Sequence, residues 1–462
     1  MCCLKKLSAV ILAAGVFLAA LGAPVPVIKL SLNKPSGIYA KGEKIEVNIG
    51  YFLNRKPASG PVSVSVIRQD GKKNTDIHET VPKQISFVAD EAPFAWQIVV
   101  TPLKPDKKPF TSGKKKHPVE YSVGSICEPE KYTTGVAEPA DFQKFWDDSL
   151  AELAKIPVKV LERKEMKLDD EMLKTAPNYF AFRIVAPMPS PEKLVGKFKS
   201  WEVKIACVND VPVSGYLTMP AGAKPKSLPV IVSFLGAPGG SAHQAFADDV
   251  IRFDVNPHGF ENGHPREYYK KMHATVTRHY QIRNSRNREK FYFRGMFLRA
   301  KRALDFVKTL PEYDGKTLIV VGNSQGGAQT LAAAGLDPDV KLIYASVPAL
   351  CDHGAIFAKR RAGWPRLINL NKKGQPSPPE VAQVAPYYDC AFFAKRIKAE
   401  AYLTTGLVDN VCSPTSVFCA YNNIPGKKHI TVFTHKGHSR TFSLTFNKRL
   451  LEVIKQVKDA QK

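Results

Sequence analysis

Gly322-Asn323-Ser324-Gln325-Gly326 follows the apolar run "TLIVV" and runs into the alanine-rich segment "GGAQTLAAAGL". Gly-x-Ser-x-Gly between a strand and a helix is the pattern of a serine pushed out on a tight turn. Small residues are needed two positions to either side of it, where side chains would collide. The helix that follows brings its positive N-terminal end near a developing oxyanion. A serine hydroxyl is a weak nucleophile without a base, and the base needs an orienting acid. In this arrangement the partners follow in the order serine, acid, histidine. Asp409 comes directly after "AYLTTGLV", and His438 lies in "KGHS", just after "ITVFTH". The predicted roles are Ser324 as nucleophile, His438 as general base and then acid, and Asp409 as the group fixing the imidazole tautomer. Acyl transfer also needs donors for the oxyanion. These are predicted to be the backbone N–H of Gln325 and that of Ala237, in the loop after "VIVSFLG". The competing reading of the same stretch is a glycine-rich turn without chemistry.

Other residues compete for these roles. Asp337 and Asp339 are too near the elbow helix and read as loop residues. Asp352 and Asp389 do not directly end a strand-like run so near the C-terminus. His435 is expected to belong still to the strand before His438.

The elements that must hold these residues are legible from hydrophobic period. Beyond about residue 195, "WEVKIACVN" and "VSGYLTMP" read as a hairpin, and "LPVIVSFLG" as a buried strand. "FRGMFLRAKRALDFVKTLP" and "GGAQTLAAAGL" read as helices, and "TLIVVGN", "VKLIYASVP", "AEAYLTTGLVD" and "KHITVFTH" as strands. The last third of "TFSLTFNKRLLEVIKQVKDAQ" reads as a C-terminal helix. Strands alternating with helices predict a doubly wound, mainly parallel sheet. Sites in such sheets lie beyond the carboxyl ends of the strands.

Upstream the pattern differs. "KIEVNIGYFL", "PVSVSVIRQDG", "QISFVAD", "FAWQIVVTPL" and "VEYSV" are short runs with frequent alternation, separated by turn residues. They predict a small all-β, immunoglobulin-like sandwich. An amphipathic helix follows, with Phe142, Phe145, Trp146, Leu150 and Leu153 at helical spacing and Asp141 as its expected N-cap.

The 462 residues exceed one ordinary core, and 44% hydrophobic residues argue against extensive disorder. Lys5 and Lys6, an apolar core and Ala20-Leu21-Gly22 predict a signal peptide, hence a periplasmic or secreted protein without a stable membrane span after cleavage. The predicted segments are 1–22 signal peptide, 23–127 sandwich and 128–462 catalytic domain. Six cysteines remain after cleavage, at spacings that suit neither a metal nor a dense disulfide framework. One or two bridges are compatible with an oxidising compartment. The net charge of +25 favours anionic surfaces or substrates, concentrated in "SGKKKHP", "RNSRNREK" and "KRR". Without a nucleic-acid motif, this reads as a solvated basic surface and not as a nucleic-acid site.

From about Pro139 to the C-terminal helix the chain resembles the acetyl xylan esterase and cephalosporin C deacetylase family of α/β-hydrolases. "PADFQKFW", "YFRGMFLRAKRALDF", "GNSQGG", "VPALCDH", "YYDCAFFAKRI" and "GLVDNVCSPTSVFCAYNNIPGKKHI", then "GH", carry the likeness in order. The resemblance implies a serine esterase that deacetylates xylose-based oligosaccharides without a cofactor or metal, with its triad on Ser324, Asp409 and His438. It also implies an acetylated carbohydrate as partner and leaves a homo-oligomer open, since family members often form ring-like hexamers. A basic surface suits an acidic glycan. The chain departs from the family at Leu235-Gly236-Ala237, where His-Gly-Tyr is usual. "VNPHGFENG" replaces an Arg-Gly-Gln motif, whose structural role is either taken by Asn256 and His258 or lost. Gly437-His438-Ser439 stands for Gly-His-Glu, and the N-terminal unit is an addition. The alternatives are an esterase for another acyl group, a peptidase on the same fold, and a glycan-binding protein with an inactive hydrolase domain.

Overall fold

The computed structural model describes residues 24–113, 115–166, 196–439 and 441–461; the segment read as a signal peptide lies outside them. The N-terminal unit is β structure: β1 Val27–Leu32, β2 Ile38–Tyr39, β3 Lys44–Leu53, β4 Lys56–Pro57, β5 Val62–Arg68, β6 Lys73–His78, β7 Gln84–Val88, β8 Phe94–Pro102, β9 Thr111–Ser112, β10 His117–Pro118 and β11 Tyr121–Cys127. One sheet joins β1, β3, β4 and β7, and a second has the order β2-β11-β8-β5-β6. Alternation in β3 buries Ile45, Val47 and Ile49. They share a core with Val62, Val64, Ile98, Val100 and Val123 of the second sheet. β6 was not expected, because "KNTDIH" has no apolar face and is largely exposed. Its pairing with β5 makes it a strand.

The second core lies under a nine-stranded sheet of order β12-β13-β14-β16-β15-β17-β18-β19-β20. These are β12 Val160–Glu165, β13 Phe198–Ile205, β14 Val213–Pro220, β15 Leu228–Phe234, β16 Ile251–Asn256, β17 Tyr313–Asn323, β18 Val340–Ser346, β19 Glu400–Gly406 and β20 Lys428–Phe433. β12, β13, β14 and β16 pair antiparallel, with β13 and β14 as the expected hairpin, and the run from β16 to β20 is parallel. β12 escaped the sequence because it is an exposed edge strand. β16 escaped because Arg252 and Asp254 interrupt its apolar pattern, although all its residues are buried. Arg252 Nη2 donates to Ser233 Oγ at 2.9 Å, and Asp254 lies 3.3 Å from His243 Nδ1, so the charges are partnered inside.

Helices α1 Phe142–Ala154, α2 Arg266–Ala274, α3 Tyr292–Val307, α4 Gln325–Leu336, α5 Pro379–Val384, α6 Cys390–Ala394, α7 Pro414–Asn423 and α8 Leu444–Asp459 flank the sheet. On one face α1, α3 and α4 pack into the large core. On the other, Phe446 and Leu450 of α8 meet Ile319, Tyr344 and Tyr402. α8 is longer than expected; it begins at Leu444, where Ser443 Oγ accepts from the Phe446 N–H. Asp141 stands before α1 as expected but caps nothing. Its carboxylate instead accepts from Arg288 Nη1, at 2.7 Å, and from the Tyr387 hydroxyl. Phe142, Phe145, Trp146 and Leu153 are buried and Leu150 packs against them. The six described cysteines are all buried and unbridged. Among the described residues no helix is long and apolar enough to cross a membrane.

Candidate active site

β17 and α4 meet at Ser324, whose φ of 56° and ψ of −120° no ordinary strand or helix residue adopts. The turn is tight enough to dictate its neighbours. A Cβ on Gly322 would lie 2.1 Å from the Gly326 carbonyl oxygen, and one on Gly326 would lie 2.0 Å from that of Phe234. The Ser324 N–H donates to the Ser346 carbonyl at 2.9 Å, and its own carbonyl accepts from Ala328 and Ala349 at 3.0 Å. The backbone is therefore pinned on both sides of the hydroxyl.

The structure brings Ser324, His438 and Asp409 together. Ser324 Oγ is 3.0 Å from His438 Nε2, and His438 Nδ1 is 2.9 Å from Asp409 Oδ2. The other carboxylate oxygen, Oδ1, accepts from the N–H groups of Val411 and Cys412 at 2.7 and 2.9 Å. Asp409 is thus an oriented acceptor. Nδ1 of His438 must carry a proton toward it, which leaves the Nε2 lone pair to the serine. A hydroxyl so placed can pass its proton to the ring while oxygen attacks a carbonyl. Cys412 is no rival nucleophile: burial, with the nearby Asp409 charge, raises its thiol pKa.

The loop from Leu235 to Gly240 runs beside the elbow; a Cβ on Gly236 would sit 3.7 Å from Ser324 Cβ. His258 and Asn256, after β16, hold this loop. His258 Nε2 donates to the Pro238 carbonyl at 2.5 Å while Nδ1 accepts from the Tyr292 hydroxyl at 2.8 Å. Asn256 Nδ2 donates to the Gly240 carbonyl at 2.5 Å. Burial keeps His258 neutral, with a pKa pushed down to about 3. Ala237, in the same loop, is exposed. Gln325 is the first residue of α4, so its N–H has no acceptor within the helix. Its side chain is held by Tyr280, whose hydroxyl donates to Gln325 Oε1 at 2.5 Å. Sequence reasoning missed Tyr280, which lies in "RHYQIRN" without a motif around it.

The structure separates the competing residues from this centre. Asp337 pairs with Lys308 at 2.8 Å, and Asp339 with the same lysine at 2.7 Å. Asp352 pairs with Arg360 at 2.7 Å. Asp389 accepts from the N–H groups of Asp352 and His353 at 2.9 and 2.6 Å. Burial, and the nearby Asp352 charge, push its carboxyl up to about 7. His435 is not in the strand, which ends at Phe433; it lies in the following turn, 3.1 Å from the Ser122 carbonyl. Among the described residues no group of three or more His, Cys, Asp or Glu side chains is arranged for a metal ion.

Residues 185–455 match the family described as acetyl xylan esterase (AXE1). The chain belongs to the acetyl xylan esterase family. It is a carboxylic-ester hydrolase on the α/β-hydrolase fold, with a mixed, largely parallel sheet. A similar curated relative is the acetyl esterase Axe7A of Xylanibacter ruminicola. It is 28% identical over 438 residues, spanning 92% of this chain and 90% of that protein. The fold is similar to that of acetyl xylan esterase 1 from Thermoanaerobacterium sp. JW/SL YS485, with a TM-score of 0.54 and 22% identity, covering 75% of this chain and 99% of that one. It is also similar to the acetyl xylan esterase from Paenibacillus sp. R4, with a TM-score of 0.52 and 23% identity, covering 71% of this chain and 98% of that one. Within the esterase, β13 to β20 and the elbow fall in the matched region, while β1 to β12 precede it.

Proposed function

We propose that this esterase removes acetyl groups from xylan-type saccharides through an acetyl-enzyme on Ser324. The observation that carries this reading is the unbroken relay from Ser324 Oγ through His438 to Asp409 on a strained elbow. Ser324 Oγ attacks the acetyl carbonyl while His438 Nε2 takes its proton. Asp409 stabilises the imidazolium and stays ionised. The oxyanion is met by the N–H of Gln325 and by that of Ala237. His438 then protonates the departing sugar oxygen, and the ester C–O bond breaks. In the second half, His438 takes a proton from water, whose oxygen attacks the acetyl carbon. Acetate leaves and the serine regains its hydrogen.

The N-terminal unit, residues 23–127, is read as a sandwich module, because its two sheets enclose one shared core. The rest, 128–462, is the catalytic domain. Residues 1–22 are read as a signal peptide on composition alone, which makes the mature enzyme periplasmic or secreted.

Acetate release from an acetylated xylo-oligosaccharide and from an aryl acetate, by the mature chain and by Ser324→Ala, tests the reading. Release from both substrates, lost in the variant, is expected. Aryl acetate hydrolysis alone would keep the serine and reject xylan. Undiminished release by Ser324→Ala would reject the serine mechanism.

A further inference from the structure

The N-terminal unit and the catalytic domain enclose a groove of about 230 Å³. One wall is a face of β5 and β8. Alternation turns Val62, Val64, Ile98 and Val100 into the N-terminal core, and Ser63, Gln97 and Thr101 the other way, into the groove. The second wall is the segment after β19 that carries Asp409, with Asn410 and Arg361 beside it. That segment lies one imidazole ring from Ser324.

The two walls are fixed to each other. The Gly124 N–H donates to the Thr434 carbonyl at 2.8 Å. A Cβ on Gly124 would meet Leu407 Cβ at 2.5 Å, so only glycine lets β11 come this close. A spacer module would not need such an approach to the acid's loop.

The groove is also lined by two cations, Arg361 and Lys73, without a carboxylate partner among the described residues, against one carboxylate, Glu120, that likewise forms no ion pair there. Arg361 Nη1 donates to Asn410 Oδ1 at 2.6 Å, and Arg366 Nη2 donates to the Asn410 carbonyl. Two guanidinium groups thus converge on one residue, Arg361 in the lining of the groove and Arg366 outside it. Among the described residues neither has a carboxylate partner, whereas neighbouring Arg360 pairs with Asp352. Burial and the Arg366 charge push the Arg361 pKa down, the condition a bound anion relieves. Lys73, on the N-terminal wall, likewise forms no ion pair among the described residues. Glu120 is on the same wall, while the Asp409 carboxylate is already taken by His438 and two N–H groups.

We propose that this groove is a subsite for the sugar chain of the substrate and that Arg361 and Lys73 receive a carboxylate-bearing sugar, a uronic acid branch, within it. The proposal rests on the esterase reading above. It gives the N-terminal unit a part in choosing the substrate and leaves bond breaking to the triad.

Acetate release is measured on an aryl acetate, a neutral acetylated xylo-oligosaccharide and the same oligosaccharide bearing a glucuronic acid branch. The full chain is compared with Arg361→Gln, Lys73→Ala and Gln97→Trp. The branched substrate is expected to exceed the neutral one in kcat/KM by about tenfold at low salt, the scale of one charge-assisted contact. That ratio falls toward unity in Arg361→Gln and Lys73→Ala. Gln97→Trp, which fills the groove, lowers both oligosaccharides relative to the aryl acetate. A ratio near unity in the wild type, or one unchanged in every variant, overturns the proposal. Calorimetry reads the groove without catalysis, using the deacetylated branched oligosaccharide and Ser324→Ala. Adding Lys73→Ala or Arg361→Gln weakens binding at least about fivefold if the groove is the subsite. Equal binding overturns it even where acetate release fails and takes the esterase reading with it.

Discussion

Gly326 passes so near the end of β15 that a Cβ on it would lie 2.0 Å from the Phe234 carbonyl oxygen. β15, which leads into the loop of residues 235–240, and the helix that follows Ser324 are thereby locked at one separation. The distance between the hydroxyl and the loop is a property of backbone packing, with no adjustable side chain between them.

Gly326→Ala is expected to destabilise the protein by about 3 kcal/mol, because the clash is with backbone and no rotamer relieves it. In the fraction that folds, displacement of the elbow by a few tenths of an ångström or more should reduce kcat by roughly 10²-fold. Thermal unfolding and aryl acetate turnover measure the two effects. Wild-type stability in the variant would contradict the packing argument.

Asp409→Asn should leave the fold intact and reduce kcat by about 10⁴-fold. An amide at this position presents an N–H to His438 and favours the wrong tautomer. Ser324→Ala should cost at least as much, and the double variant little more than either alone, since the residues act as a unit. Additive losses in turnover would show that the two do not share a step.

Tyr280→Phe removes the hydroxyl that donates to Gln325 Oε1. A buried acceptor is left unpaired, which costs about 1–3 kcal/mol. The loosened start of α4 carries the Gln325 N–H, so kcat should fall more than KM rises. A stability loss with unchanged kcat would confine Tyr280 to packing.

Acid sensitivity follows from two buried histidines. His258 and His353 have pKa values pushed down to about 3 and about 4, chiefly by burial. The unfolded chain binds their protons below about pH 6.5 and the folded chain does not. The share of stability each histidine carries is therefore fully present above pH 6.5 and falls as pH drops toward 4, by about 1.4 kcal/mol per pH unit, while Asp389, its carboxyl pushed up to about 7, contributes a slope of opposite sign between about pH 7 and pH 4. His258→Gln should remove one histidine's share of that slope while loosening the Pro238 loop. Thermal unfolding from pH 7 to pH 4.5 reads the slope; an identical slope in the variant would exclude His258 as a contributor.

The sequence by itself determined the parallel strands β15 and β17 to β19, because they are buried, largely apolar runs bounded by turns, and also β20, which is half-buried at the sheet edge and rich in β-branched residues. It also placed Ser324, Asp409 and His438 at the ends of such strands, where local pattern and chain order suffice. It determined the amphipathic face of α1 through the helical spacing of Phe142, Phe145, Trp146 and Leu153. Only the tertiary structure decided the rest. β6 and β12 have no hydrophobic pattern and are strands through pairing. β16 hides its burial behind Arg252 and Asp254, which are tolerated inside because each finds a partner across the fold. Asp141 looks like a cap in sequence, yet an arginine 147 positions away claims its carboxylate. The hold of His258 on Pro238, of Tyr280 on Gln325 and of Gly124 against Leu407 joins residues far apart in the chain. Period and spacing report what a residue's near neighbours along the chain require. Hydrogen bonds and close approaches between distant segments exist only once the two cores have packed.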